Sequence, residues 1–227
     1  MFKKMIFGGA IALSAVHSAQ AEEAFFEPQY EAEVFYSNLT IKDDAIEALG
    51  LPKPKGDGGG LRLSALLNQT FQATGEFSTD RPDLSFADGV YHFDFTQARF
   101  GIRAVKAASN GSPVYAAAGL EYGHFVTDSE VDYTVTSGLT DMKFDSVRYD
   151  LGIGHLRAGY RSEAAHLYLD AAYGYGSDQS LSEFLGGASF NVVDNLNLFG
   201  EYRFSQFKED GNKTNFANIR VGIGATF

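Results

Sequence analysis

Apolar and polar residues alternate along most of the chain after Glu27, and the 3.6-residue period of a helix is rare there. Such alternation is typical of β-strands that have one face in an apolar and the other in a polar environment. The pattern predicts ten strands, at about residues 29–38, 59–67, 70–78, 90–105, 114–126, 144–161, 166–176, 182–193, 195–207 and 215–227.

The number of strands has one alternative. If 29–38 lies outside the sheet and 61–77 is a single strand, the count falls to eight. We favour ten, because residues 67–70 resemble residues 193–196. In both places a turn precedes a strand that ends in a glycine, a glutamate and an aromatic residue.

The connections between the predicted strands sort into two kinds. In a meander every second connection lies at the same end, so one end should carry tight turns and the other long loops, as in membrane barrels. The first long loop should contain a short helix at 43–49. The second, fourth, sixth and eighth connections are short, at 68–69, 107–113, 162–165 and around 194; the others are mostly longer, at 39–58, 79–89, 127–143 and 208–214, with 177–181 the exception.

Each strand divides by parity into a charged and an uncharged face. Every base on the charged face is an arginine, which binds carboxylates at two points and loses its water more readily than lysine. Acids and arginines are equal in number, as an enclosed and ion-paired interior requires. We therefore predict a lumen charge network of Glu31, Glu33, Arg62, Glu76, Arg99, Arg103, Glu121, Arg148, Asp150, Arg157, Asp170, Glu201, Arg203 and Arg220.

The uncharged face predicts contact with lipid. It includes Val147, Tyr149, Leu151 and Ile153 on one strand. A soluble lipocalin-like barrel would show the same alternation with the apolar face inside. The length of the uncharged face and the glycines that share the charged face favour the membrane arrangement. The predicted fold is therefore an all-β, transmembrane, antiparallel up-and-down β-barrel.

The parity changes at two places. One lies between residues 95 and 98 and the other between residues 153 and 156. A β-bulge near each would restore the facing, and so would a shift from the rim of the barrel to its membrane zone.

The first 21 residues have the features of a cleaved secretory signal peptide. Lys3 and Lys4 precede an apolar stretch at 6–16, and Ala19 and Ala21 form a small-residue cleavage site. We expect a short periplasmic segment at 22–28 and a single barrel domain over 22–227.

Charge and cysteine content exclude several functions. Cleavage would leave 16 basic residues (18 minus two lysines) against 29 acidic ones, a net charge of −13, so nucleic acid is not an expected partner. The chain has no cysteine, which excludes disulfides and thiol chemistry.

The last predicted strand ends in phenylalanine, with apolar residues at alternate positions before it: Ile219, Val221, Ile223, Ala225 and Phe227. With the signal peptide and the meander, this ending resembles the small outer-membrane β-barrel protein families of Gram-negative bacteria. The resemblance implies the fold, an outer-membrane location, surrounding lipid and lipopolysaccharide, and recognition of the last strand by the barrel-assembly machinery. It carries over no catalytic residue, and we expect a monomer without a cofactor.

Three functions remain open. The one we favour is a structural or surface-interaction role with the lumen largely filled by side chains; the others are a narrow porin-like channel and an outer-membrane hydrolase. A hydrolase could pair His124 with Asp128 or His92 with Asp94 at the rim, although no family motif surrounds these residues. Acidic clusters in the outer loops could hold Ca²⁺ or Mg²⁺, but their spacing is irregular and we expect no metal site.

Overall fold

The computed structural model describes residues 30–68, 70–109, 112–133, 141–193, 195–209 and 211–227, without the side chain of Ala45. The proposed signal peptide, its cleavage site and the 22–28 segment lie outside these residues. No helix in the described part is long and apolar enough to span a membrane. The elements are β1 (Tyr30–Asp43), α1 (Asp44–Ala48), β2 (Lys55–Leu66), β3 (Phe71–Phe86), β4 (Gly89–Ala107), β5 (Val114–Tyr133), β6 (Met142–Lys143), β7 (Val147–Arg161), β8 (Ala165–Tyr175), β9 (Gln179–Val193), β10 (Leu196–Glu209) and β11 (Asn212–Thr226).

The ten long strands form a closed antiparallel barrel. Each long strand pairs with the next long strand in the chain, including β4 with β5 and β5 with β7. The pairing of β1 with β11 closes the ring. The prediction of ten strands is confirmed, and the alternative of eight is wrong, because β1 pairs with both β2 and β11. The two-residue β6, which the sequence pattern did not predict, pairs with β5.

The stagger of the strands sets the width of the barrel. A path that follows paired residues once around the ring leaves β1 at Glu31 and returns to it at Asp43, a displacement of 12 residues (43 minus 31). Strands staggered in this way are tilted by roughly 35–45° to the barrel axis. A ten-strand barrel of this kind is narrow enough for side chains to fill its interior.

The outside of the barrel carries a continuous belt of exposed apolar side chains. No charged residue occupies the outward positions of this belt in the described strands. Contact between such a surface and water is unfavourable, whereas contact with hydrocarbon is not. The protein is therefore a transmembrane β-barrel. The belt includes Tyr30, Val34, Tyr36, Leu61, Leu63, Phe77, Phe100, Ile102, Leu120, Tyr122, Leu156, Tyr160, Leu167, Leu169, Tyr173, Phe184, Phe190, Leu198, Tyr202, Phe204, Ile219, Val221 and Ile223.

The two ends of the barrel differ, and we call them the turn end and the loop end. The turn end carries the β2–β3, β4–β5, β7–β8 and β9–β10 connections. At the β2–β3 connection the Asn68 carboxamide oxygen accepts the backbone N–H groups of Thr70 and Phe71 at 2.9 and 2.8 Å. At the β9–β10 connection Asn195 has φ of 67°, a value that asparagine tolerates well.

The loop end differs from the prediction. Two connections expected to be long loops, 79–89 and 208–214, are mostly strand: β3 runs to Phe86 and β4 begins at Gly89, while β10 and β11 are separated by two residues. The pattern missed the extension of β3 because its buried positions include Asp80 and Pro82, so that the charged residues and the proline of this segment resembled a loop. The predicted helix in the first loop is present as α1.

The two changes of parity are not β-bulges. The β4–β5 and β5–β7 registers run without a shift, so every second residue keeps the same facing. Leu151 and Ile153 point into the barrel and are each 1% exposed, and Tyr149 points the same way. Their predicted contact with lipid is therefore wrong. What changes along β7 is the interior, which is charged at membrane depth and apolar at the loop end.

Candidate functional site in the barrel lumen

Four carboxylates and four guanidinium groups fill the middle of the lumen. We call them the central network. Each acid lies within hydrogen-bond distance of at least one arginine, and most of the groups are buried. Its members are Glu33, Glu76, Glu183, Glu201, Arg62, Arg99, Arg203 and Arg220.

Arg62 links three of these acids. Its Nη1 donates to Glu33 Oε2 at 2.8 Å, its Nε to Glu76 Oε2 at 3.1 Å and its Nη2 to Glu201 Oε2 at 2.6 Å. Glu201 also accepts the hydroxyl of Tyr168. The planar guanidinium can make these bonds at once because its donors point outward in one plane.

Glu76 binds two further arginines. Arg203 donates to both of its oxygens at 2.7 and 3.0 Å, and Arg220 donates to Oε1 at 2.9 Å. Within the described part of the chain, no hydrogen-bond acceptor lies against the Nε and Nη2 atoms of Arg220. The ring of Phe35 lies against this guanidinium, 4.6 Å from ring centroid to Cζ, and its π-face stabilises the charge.

A second group of charges lies nearer the turn end. We call it the turn-end cluster, formed by Arg103, Glu121, His155, Arg157 and Asp170. Arg157 Nε donates to Asp170 Oδ2 at 2.9 Å, and Arg103 Nη2 lies 3.4 Å from Glu121 Oε1. His155 lies between the two acids, with Nδ1 3.0 Å from Asp170 and Nε2 2.9 Å from Glu121. The Nε2 contact departs from hydrogen-bond geometry, and it is an ion pair when the ring is protonated.

A cavity of about 110 Å³ lies between the turn-end cluster and the central network. One wall is lined by Arg103, Tyr115, Arg157 and His166. The opposite wall is lined by Glu31 and Glu33 on β1, which is five strands around the ring from β7, the strand of Arg157. A second cavity of about 140 Å³ continues to the turn end and shares Glu31, Arg161, His166 and Ser189 with the first. The interior is therefore accessible from the turn end.

An apolar plug closes the lumen at the loop end. Phe95 stacks on Phe216 and Phe125 with ring centroids 5.0 and 6.3 Å apart, and Phe207 packs edge-on against Phe125. Phe125 and Leu181 are fully buried. The plug consists of Leu39, Ile41, Phe95, Phe125, Leu151, Ile153 and Leu181, with Phe93, Tyr149, Ala172, Phe207 and Phe216 packed against them.

The structure brings twelve of the fourteen predicted lumen residues to the inward face. The other two, Arg148 and Asp150, lie on the outward face of β7 and are exposed, so their prediction as lumen residues is wrong. The error has the same source as the one at Leu151. Both charged residues lie beyond the apolar belt, where outward positions face water.

The prediction missed two buried acids. Glu183 has the parity opposite to the outward Phe184, which could have identified it. Asp80 could not have been found in this way, because it lies in a segment predicted to be a loop. It is 1% exposed and accepts the hydroxyl of Ser37.

The histidine partners also differ from the prediction. His92 Nδ1 lies 2.6 Å from Asp83, not beside Asp94, and His124 Nδ1 lies 2.7 Å from Asp150, not beside Asp128. Hydrogen bonds from Tyr122 and His124 hold the pKa of the Asp150 carboxyl below its ordinary value. No hydrogen bond between a serine or threonine hydroxyl and either imidazole is present among the described residues; the partner of each ring is an aspartate.

Four residues of the predicted assembly signal lie on the last strand, and Phe227 directly follows it. Ile219, Val221, Ile223 and Phe227 are exposed on the outward face, and Ala225 shares that face. Phe227 exchanges two backbone hydrogen bonds with Tyr30, at 2.8 and 3.2 Å, and so completes the ring. Among the described residues, no group of three or more histidines and acids is arranged to hold a metal ion.

No protein-family model matches the chain, and no curated protein sequence matches it. Several solved structures are similar in fold. The β-domain of the Bordetella autotransporter BrkA is 14% identical with a TM-score of 0.49, over 89% of this chain and 100% of that one. Ail, the attachment invasion locus protein of Yersinia pestis, is 16% identical with a TM-score of 0.47 over the same shares. The translocator domain of the autotransporter NalP from Neisseria meningitidis is 13% identical with a TM-score of 0.46, over 99% and 96%. The assignment of the fold rests on the strand pairing and the apolar belt.

Proposed function

We propose that the protein is an outer-membrane barrel of a Gram-negative bacterium that conducts no solutes and presents its loop end as a contact surface. One observation carries this proposal: the lumen is closed at two levels, by the apolar plug at the loop end and by the central network beneath it.

Opening a path for water would require both levels to separate. Removing one partner from a buried ion pair typically costs about 3–5 kcal/mol, because it leaves the other charge without compensation. Glu76 is shared by three arginines, so several pairs would have to break together. A narrow porin-like channel is the alternative, and it would need a continuous hydrated path between these same side chains.

The contact surface consists of strand hairpins that continue beyond the belt. β3, β4 and β5 have 16, 19 and 20 residues, whereas roughly 9–11 are enough to cross a bilayer. Within 81–94, 127–133 and 141–146 there are eight carboxylates and two basic side chains. A partner should therefore present positive charge. The acids are Asp83, Asp88, Asp94, Asp128, Glu130, Asp132, Asp141 and Asp145.

The proposed location and partners follow from the belt and the two termini. The signal peptide would deliver the chain to the periplasm, the assembly machinery would recognise the strand that ends in Phe227, and lipid and lipopolysaccharide would surround the belt of a monomer. This orientation puts the loop end outside the cell. Because the chain has no cysteine, Asp88→Cys and Asn68→Cys can be labelled without background by a membrane-impermeant thiol reagent. Intact cells should label only Asp88→Cys, and permeabilised cells both; labelling of Asn68→Cys in intact cells would contradict the orientation.

Electrical recording in planar bilayers tests the closed lumen. The purified protein should give no steady conductance steps, with a general porin in the same bilayers as the positive control. A steady conductance that Arg99→Ala or Glu121→Ala changes would instead establish the porin-like channel. A conductance that neither substitution changes would point to defects around the protein, which the porin control and a protein-free preparation would reveal.

A further inference from the structure

The charges of the lumen are balanced in one group and unbalanced in the other. The central network has four carboxylates and four guanidinium groups. The turn-end cluster has two carboxylates, Glu121 and Asp170, which are shared by Arg103, Arg157 and His155.

His155 counts as a cation in this cluster. Each of its ring nitrogens lies within 3.0 Å of a different carboxylate oxygen. A neutral imidazole has a lone pair on one nitrogen, and that lone pair would face a negative oxygen at this distance. The protonated ring has a hydrogen on both nitrogens and suits both acids. The cluster then has three positive groups and two negative ones.

Arg103 is the least compensated of the three. Among the described residues its guanidinium has one ion pair, the 3.4 Å contact with Glu121, whereas Arg157 makes a 2.9 Å hydrogen bond to Asp170. The Arg103 side chain is 12% exposed and lines the 110 Å³ cavity. Its remaining donors therefore face this space.

The cavity suits a small ligand that enters from the turn end. One water molecule needs roughly 10–15 Å³ of such a volume, so 110 Å³ leaves room for a group of several heavy atoms. The second cavity connects it with the turn end, past Arg161 on one side and Glu31 on the other. Glu31 is a further carboxylate at this passage and Arg161 a further cation, so together they leave the surplus positive charge of the cluster unchanged. Glu31 also accepts a hydrogen bond from Asn197 at 3.2 Å, and Glu33 is compensated by Arg62.

We propose that this pocket binds a small oxyanion, a phosphate or a carboxylate, between Arg103 and Arg157. A guanidinium presents paired donors that match two oxygens of such a group, and the ligand would supply the negative charge that the cluster lacks. The site opens toward the side of the membrane opposite the acidic hairpins. Binding at this site does not depend on whether the lumen conducts solutes.

Binding can be measured by NMR with the purified barrel in detergent micelles. Inorganic phosphate is followed by ³¹P line broadening and ¹³C-labelled acetate by its carboxyl signal, in a buffer without competing oxyanions. The two ions distinguish phosphate from carboxylate as the natural group. Saturable binding of at least one ion is expected, and Arg103→Gln should weaken it at least tenfold. Arg148→Gln, which removes an exposed arginine at the loop end, is the matched control and should have no effect.

Two results would overturn the proposal: no saturable binding of either ion, or equal binding by native protein and Arg103→Gln. Arg103→Lys keeps the charge but not the paired donors, and it serves if Arg103→Gln does not fold. It should bind several-fold more weakly than the native protein, and native affinity in this variant would also contradict the site. Circular dichroism and the migration of unheated samples in gels show that each variant is folded.

Discussion

Arg99 on β4 and Glu183 on β9 meet across the lumen through two parallel hydrogen bonds of 2.8 and 2.7 Å. Both side chains are 4% exposed. The pair joins strands that are four positions apart around the ring, so it fixes the distance between two walls of the barrel.

Loss of one partner of this pair should be strongly destabilising. Arg99→Met leaves the Glu183 carboxylate buried beside Ser205 and the more distant Arg203, and should lower the free energy of unfolding by about 3–5 kcal/mol. The double variant Arg99→Met/Glu183→Leu should lose less than the sum of the two single variants. Urea unfolding in lipid vesicles measures this cycle. Strict additivity would show that the pair contributes nothing by its contact.

An arginine introduced at each of two outward positions, in separate variants, locates the edge of the apolar belt. Leu169→Arg places a charge on the outward face near the middle of the belt and should cost about 2–4 kcal/mol. Asp150→Arg places the same side chain beyond the belt, where a charge should cost about 0–1 kcal/mol. Unfolding in vesicles compares the two, and equal costs would mean that the belt extends to residue 150.

The apolar plug should stabilise the barrel without being the sole closure of the lumen. Leu181→Ala removes a fully buried side chain and should cost about 2–5 kcal/mol. Leu49→Ala, at an exposed position beside α1, is the control and should change stability by less than about 0.5 kcal/mol. Leu181→Ala should still give no conductance, because the central network remains. Steady conductance in this variant would make the plug the only barrier.

Tyr149 predicts a loss of stability at alkaline pH. Burial and the neighbouring Glu209, which accepts its hydroxyl at 3.1 Å, raise the pKa of Tyr149 to about 12. The folded protein therefore holds this proton more tightly than the unfolded chain, whose tyrosine titrates near 10. The stabilisation is complete below pH 10 and is lost as the pH rises to about 12.

Absorbance at 295 nm measures this titration as the difference between the native protein and Tyr149→Phe. The difference should appear near pH 12, and Glu209→Gln should move it to lower pH because it removes the negative neighbour. A difference that appears near pH 10 in the native protein would contradict the buried environment.

The sequence predicted the fold and most of the lumen because both depend on alternation. Within the belt, lipid and lumen impose opposite requirements on neighbouring positions, so residues such as Arg62 and Leu63 identify their own faces. Beyond the belt, at the loop end, this contrast is reversed. The rule therefore failed at Asp150 and Leu151, where the outside is aqueous and the inside apolar, and at Asp80, where a polar strand resembled a loop. Alternation also gives no information about which arginine binds which acid, since those distances depend on the stagger of the ring.

The pairing of β1 with β11 has a consequence for biogenesis. The two strands farthest apart in the sequence form the seam of the ring, through Tyr30 and Phe227 among others. Until that seam forms, β1 and β11 are both free edges of a curled sheet, each with a row of unpaired N–H and C=O groups that hydrocarbon cannot satisfy. The chain therefore has to be held in a polar or chaperoned environment until its final strand arrives, and insertion and closure have to be completed together.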